Sequence, residues 1–148
     1  MKIKQLRDLS HKGINIQELT RYANADDVGI DLIACETQSL PVDGYTSFPT
    51  GIAIEFPEAT FGLVLPRSGL ARNWGLTVLG GVIDSGYRGE VVVTLANLGN
   101  RGITLYVGNR IAQLVILPYH RVNLDWLADY EYFTQTERGD QGHGSTGV

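Results

Sequence analysis

The sequence predicts an all-β chain, and three observations carry that expectation. Short apolar or alternating runs recur along its length. Gly, Pro, Asn and Asp punctuate those runs at intervals of about ten residues. Eighteen glycines among 148 residues supply the tight turns that such a pattern needs. The spacing suits a sandwich, a barrel or a jelly roll.

In chain order, "NIQELTRYAN" offers a turn or two of helix, and "VGIDLIA" reads as an apolar strand interrupted by Asp31. "YTSFPTGIAIEFP" and "TFGLVLP" are strand runs, and "SGLARNWG" holds a short helix capped by Ser68 and stopped by Gly75. "GLTVLGGVI" and "EVVVTLAN" follow, joined through "DSGYRG", so the residues alone predict a β-hairpin with an aspartate in its turn. "RIAQLVILPY", with Gln113 inside it, is a further strand. The tail, "TERGDQGHGSTGV", is glycine-rich and polar with almost nothing to bury, the composition of a mobile arm. The expected organisation is a β domain over 1–136 and an arm over 137–148.

Length suits one domain with a respectable core. Hydrophobic residues are 43% and charged ones 19%, an ordinary globular composition. The net charge of −4 argues against tight non-specific nucleic-acid binding, which needs a basic face. Lys2, Lys4 and Lys12 are the three lysines, and every later basic residue is arginine, the bidentate binder of phosphates and carboxylates. The single cysteine, Cys35, rules out an internal disulfide and reads as a small buried apolar group in a reducing compartment. "MKIKQLRDLSHKG" has no apolar signal-peptide region, and no apolar run approaches membrane-spanning length. A cytoplasmic protein without a membrane partner is the expectation.

Two clusters of hydrogen-bond donors suit anions. In "LPRSGLA", Arg67, Ser68 and the amide of Gly69 lie near a helix start. In the tail, Arg138, Ser145, Thr146 and the bare amides of Gly139, Gly142, Gly144 and Gly147 form a strip able to wrap a phosphate. Taken singly, each has an ordinary structural explanation as a capped turn or a disordered end.

Order and spacing change that balance. "VGIDLIA", "LPRSGLA", "GGVIDSGYRGE", "VGNRIAQL" and "RGDQGHGSTG" together closely resemble the ordered motifs of the homotrimeric dUTP diphosphatases (dUTPases). The similarity runs from about Asp26 to the C-terminus. It implies a jelly-roll-like (β-clip) subunit, trimers with active sites at subunit interfaces, and hydrolysis of dUTP to dUMP and pyrophosphate. That reaction limits uracil in DNA and supplies dUMP for thymidylate synthesis. By position, Asp84 is then the base that activates a water for attack at the α-phosphorus, partly desolvated among Val82, Ile83 and Tyr87. Tyr87 stacks on the deoxyribose and excludes a 2′-hydroxyl, while the backbone around Gly81, Val82 and Val92 reads uracil. Arg67, Ser68 and Gly69 hold phosphates, and Gln113 touches the α-phosphate or its attacking water. Arg138, Gly144, Ser145 and Thr146 close on the γ-phosphate. Mg²⁺ bridges the phosphates, with Asp31 reaching it through water.

Three positions depart from the family pattern. His143 stands where phenylalanine is usual, so an imidazole would stack on uracil. Asn109 replaces an aspartate, losing a charge near the phosphates or a structural hydrogen bond. Gly86 stands where an acid is common, and with "LARNWGL" and Arg72 it is also similar to the sister dCTP deaminases, including bifunctional deaminase–dUTPases. Those enzymes use a glutamate at the position of Thr94, which argues against deamination. A non-catalytic dUTP-binding regulator on the same fold is the alternative of another class, opposed by the intact Asp84, Tyr87, Arg138 and Ser145.

Overall fold

The computed structural model describes residues 1–128 and 132–140. Eleven strands build it: β1 (Lys2–Gln5), β2 (Gly29–Ile33), β3 (Gln38–Leu40), β4 (Tyr45–Pro49), β5 (Ile52–Glu55), β6 (Thr60–Pro66), β7 (Leu76–Leu79), β8 (Val82–Ile83), β9 (Val92–Asn97), β10 (Ile103–Leu105) and β11 (Arg110–Pro118). Two short helices, α1 (Ile16–Leu19) and α2 (Ser68–Trp74), and one 3-10 turn over Ser10–Lys12 complete it. One sheet runs β2-β11-β6-β8 and another β4-β9-β7, while β1-β5 and β3-β10 form two-stranded ladders. All pairings are antiparallel. No helix among the described residues is long and apolar enough to cross a membrane.

Period-2 alternation decides which side chains enter the core. On β9, Val93, Leu95 and Asn97 are buried, while Val92 faces solvent. On β2, Ile30 and Leu32 point inward, which turns Asp31 to the other face. These residues join Phe48, Ile52, Val64, Leu76, Ile111 and Leu114 in one contiguous core. The buried Asn97 is satisfied: its amide donates to Leu40 O and Arg101 O, and its Oδ1 accepts from Gly99 N at 2.9 Å.

Two expectations are corrected. Ser68 is the first residue inside α2 rather than its cap; Arg67, still extended after Pro66 (φ −80°, ψ 133°), holds the cap position, and no side chain caps the helix. Gly75 does end α2, in the left-handed conformation at φ 68°. The expected hairpin is also absent as a ladder. β8 pairs with β6 and β9 pairs with β4 and β7, so residues 84–91 cross from one sheet to the other.

Beyond Tyr119, which packs edge-on against Phe61 with ring centroids 6.4 Å apart, the described residues form neither helix nor strand. Val122, Leu124, Trp126, Tyr132 and Phe133 are all exposed there, Trp126 at 92%.

Candidate active site

The cluster around Asp31 follows from strand register. Gln113 lies directly opposite Asp31 on the β2–β11 ladder and opposite Leu65 on β6, so Asp31 and Gln113 share the face turned away from the core. A bulge between Arg110 and Ala112 lets Ile111 and Ala112 both be buried and turns Arg110 toward the same end. Arg67 arrives there from the end of β6. The Asp31 carboxylate takes Arg67 Nε at 3.0 Å and Arg110 Nε at 2.9 Å, one guanidinium on each oxygen. Arg67 also donates to Arg110 O at 3.4 Å, and Gln113 Nε2 donates to Pro66 O at 3.0 Å. A Cβ on Gly29 would come within 2.4 Å of Gln113 Oε1, so a side chain there would displace the Gln113 amide from its present position.

Asp31, Arg67, Ser68 and Gln113 line a cleft of about 370 Å³, with Asp26 and Asp27 at its rim. Gly69 faces open space beside Ser68. Arg67 and the start of α2 therefore face this cleft beside Asp26, Asp27 and Asp31, while Arg110 pairs with Asp31 from outside the cleft's lining. Arg110 is the member of this cluster that sequence reasoning passed over. An arginine at the mouth of a strand resembles any solvated charge, and only the register places it on Asp31.

The structure also tests the residues against the implied Mg²⁺. Among the described residues no group of three His, Cys, Asp or Glu stands ready to hold a metal ion. Asp31 spends one acceptor position of each oxygen on an arginine, and an ionised carboxylate offers about four. Asp31 therefore keeps acceptor positions that the water of a hydrated cation could meet, and a direct three-ligand metal site is absent among the described residues.

Asp84 and Tyr87 stand elsewhere. Ile83 is paired with Gly62 near the start of β6, whereas Arg67 follows its end. Five residues of strand at about 3.3 Å each hold the two points about 16 Å apart. Tyr87 N–H closes a turn onto Asp84 O at 3.0 Å, and its hydroxyl donates to Glu90 O at 3.0 Å. Arg88 donates to Ser85 O and Tyr87 O, and Ser85 Oγ meets the Tyr119 hydroxyl at 3.3 Å. Asp84 itself is exposed, as are Val82 and Tyr87, and only Ile83 packs on the core. The desolvation expected for Asp84 is therefore not supplied by its own chain. Gly81 is pinned, its carbonyl accepting from Val64 N at 2.7 Å and a Cβ there meeting Val64 O at 2.3 Å. Val82 and Val92 lie in different sheets, both exposed.

Asn109 resolves one departure from the family pattern. Its Oδ1 accepts from Tyr106 N at 2.8 Å and its own N–H donates to Tyr106 O at 2.9 Å, so the amide keeps a turn hydrogen bond. Thr94 pairs across the ladder with Ser47, hydroxyl to hydroxyl at 2.8 Å. Cys35 is buried, and that burial pushes its thiol up to about 11, so it is an inert apolar group. Arg138 is exposed beside a turn in which Gly139 N–H donates to Thr136 O at 3.2 Å. His143, Gly144, Ser145 and Thr146 lie outside the described residues.

Comparison with known proteins bears on the fold and the family. The deoxyuridine 5′-triphosphate nucleotidohydrolase of Rickettsia prowazekii is 42% identical over 152 residues, covering all of this chain and 97% of that protein. That of Crocosphaera subtropica is 42% identical over 150 residues, covering both in full. Among solved structures, the Staphylococcus bacteriophage 80alpha dUTPase with dUPNHPP superposes with a TM-score of 0.84 at 26% identity, covering 99% of this chain and 98% of that one. The native EIAV dUTPase gives 0.67 at 32% identity, covering 77% and 94%. The fold is accordingly the jelly-roll-like β-clip of those structures. The dUTPase family model matches residues 16–147, and the chain belongs to the dUTPase family.

Proposed function

We propose that this chain hydrolyses dUTP to dUMP and pyrophosphate at a site shared between copies of itself in a homotrimer. One geometric argument supports the shared site: Ile83, next to Asp84, pairs with Gly62, five residues and about 16 Å of backbone from Arg67, so one copy presents the base and the phosphate grip at opposite ends of β6. A second copy supplies what the first lacks, and it also covers Asp84, giving the desolvation that its own chain does not. The exposed Val122, Leu124, Trp126, Tyr132 and Phe133 give apolar surface for such an assembly.

In this reading, Asp84 accepts the proton of a water as that water attacks the α-phosphorus. No covalent nucleophile is needed, because positioning and charge neutralisation suffice. Arg67, held in orientation by Asp31, grips the phosphates with Ser68 and Gly69, and Arg110 completes the same clamp. Gln113 touches the α-phosphate or the attacking water. Mg²⁺, held by Asp31 through water, supplies neutralisation of triphosphate charge when bound. Tyr87 packs on the deoxyribose, and the backbone near Gly81, Val82 and Val92 reads the uracil edge, where cytosine would leave buried groups unpaired. Residues 137–148 act as an arm that closes over the nucleotide, with Arg138, Gly144, Ser145 and Thr146 on the γ-phosphate and His143 over the base.

Deamination of dCTP is the second reading, and Thr94 speaks against it. Its hydroxyl is engaged by Ser47, and it offers no carboxylate to shuttle protons at a cytosine ring. Incubating the protein with dUTP or dCTP and Mg²⁺ separates the readings. Formation of dUMP and pyrophosphate from dUTP, with no ammonia from dCTP, is expected. Ammonia release overturns the assignment, and binding of dUTP without turnover leaves only a regulator.

A further inference from the structure

The loop that carries Asp84 and Tyr87 needs an anchor, because most of it is exposed. Asp84, Gly86, Tyr87, Arg88 and Gly89 face solvent, and at the Asp84 end the loop meets the body through Ile83 on the core and a 3.3 Å contact of Ser85 Oγ with the Tyr119 hydroxyl. Its firm foot is Glu90, 23% exposed. The Glu90 carboxylate takes Arg7 Nε at 3.0 Å and Arg7 Nη2 at 3.2 Å, a two-pronged pair between residues 83 positions apart. The same carboxylate accepts from Gly51 N at 2.8 Å, at a glycine with φ 74° whose missing Cβ leaves room for Cys35. Next door, Val91 N donates to Ile52 O at 2.8 Å, and Thr50 donates to Val91 O from both backbone and hydroxyl. Arg7 is itself fixed by the neighbouring Leu6 N–H on Gly51 O at 2.7 Å, and the pairing with Glu90 holds its guanidinium above the ordinary arginine range. One carboxylate therefore ties together the N-terminal segment, the β4–β5 connection and the loop.

That foot is coupled to the ring that would meet the sugar. The Tyr87 hydroxyl donates to the backbone carbonyl of Glu90, and a Cβ at Gly89 would fall 2.4 Å from that hydroxyl, so the ring lies across the loop onto Glu90's backbone. Moving Glu90 moves the Tyr87 ring, and with it the turn that closes on Asp84. We infer that the Arg7–Glu90 pair positions Tyr87 and Asp84, so that an ion pair remote from the phosphate clamp sets sugar discrimination. This rests on the role given to Tyr87 above. Glu36 is the internal comparison: it meets the third arginine nitrogen, Arg7 Nη1, at 2.7 Å, and takes no part in the hydrogen bonds that hold Glu90 and Tyr87.

Four variants test it: Arg7→Ala, Arg7→Lys, Glu90→Gln and Glu36→Gln, each assayed for kcat and KM with dUTP and UTP and melted as a folding control. Arg7→Ala and Glu90→Gln are expected to lower the dUTP-over-UTP ratio of kcat/KM by about ten- to a hundredfold, the scale of a misplacement near 1 Å. Arg7→Lys, a point charge without the fork, should restore part of the ratio, and Glu36→Gln should keep it. An unchanged ratio in Arg7→Ala and Glu90→Gln, with only the melting temperature lowered, overturns the inference. So does an equal loss in Glu36→Gln. Hydrogen exchange at the 85–89 amides reads the loop without turnover: faster exchange in Arg7→Ala and Glu90→Gln is expected, and unchanged exchange overturns the inference whatever the substrate. A wild-type protein inactive on dUTP would instead strike at the proposed reaction, leaving the exchange result to judge the anchor.

Discussion

Asp84 was conspicuous in the sequence as an acid between aliphatics and a glycine-bounded turn, but its surroundings were not legible there. The structure leaves it exposed on its own chain, so its setting as a base depends on what covers it in the assembly. Asp84→Asn keeps the shape and removes the proton acceptor, so kcat should fall by roughly 10²–10⁴-fold while KM changes little. Steady-state kinetics on the purified variant checks this, and wild-type turnover would remove Asp84 from the reaction. Asn109 teaches the complementary lesson. The exchange of an aspartate for an amide looked like a lost charge, yet the turn's hydrogen bond survives because Oδ1 accepts from Tyr106 N as a carboxylate oxygen would. The ion pairs of Arg110 and Arg7 were not legible for one reason: their partners, Asp31 and Glu90, are distant in sequence.

At the scale of elements, strands with clear alternation were legible almost to the residue. "TFGLVLP" is β6 and "RIAQLVILPY" is β11 to within one residue. β3 and β10 escaped because three residues are too few to display a period, and β1, "KIKQ", is exposed throughout and carries no buried face. The hairpin expectation failed for a deeper reason. Local sequence sets a turn, whereas the choice of partner strand is made by the sheet, and β8 found β6 rather than β9. The stop at Gly75 was legible because positive φ selects glycine, and the structure adds a second demand. A Cβ there would approach Gly99 N at 2.7 Å and Gly99 Cα at 2.9 Å. Gly75→Ala should therefore cost at least about 1 kcal/mol, and lower the melting temperature by roughly 2–4 °C per kcal/mol. Calorimetry on the variant checks it, and an unchanged melt would show that α2 can end without the left-handed residue.

For the whole molecule, the account turns on assembly and on the arm. The family resemblance implied both, while composition and spacing foretold neither the trimer nor where one copy meets another. The structure contributes the separation of the clamp from the base and the exposed apolar stretch after Tyr119. Ending the chain at Thr136 removes Arg138 and the glycine-rich strip but little apolar surface, so the β body should melt as before. Turnover should collapse, since the closed arm neutralises charge and excludes water; full-speed hydrolysis by the truncated protein would refute the lid. The shared site is the central claim, and subunit mixing tests it most directly. Arg67→Ala and Asp84→Asn, each inactive alone, are co-refolded in equal amounts and assayed on dUTP. If each site takes its clamp from one copy and its base from another, about a quarter of the sites carry both native residues, and about a quarter of wild-type turnover returns. If both residues serve a site within one chain, every site stays defective and mixing restores nothing.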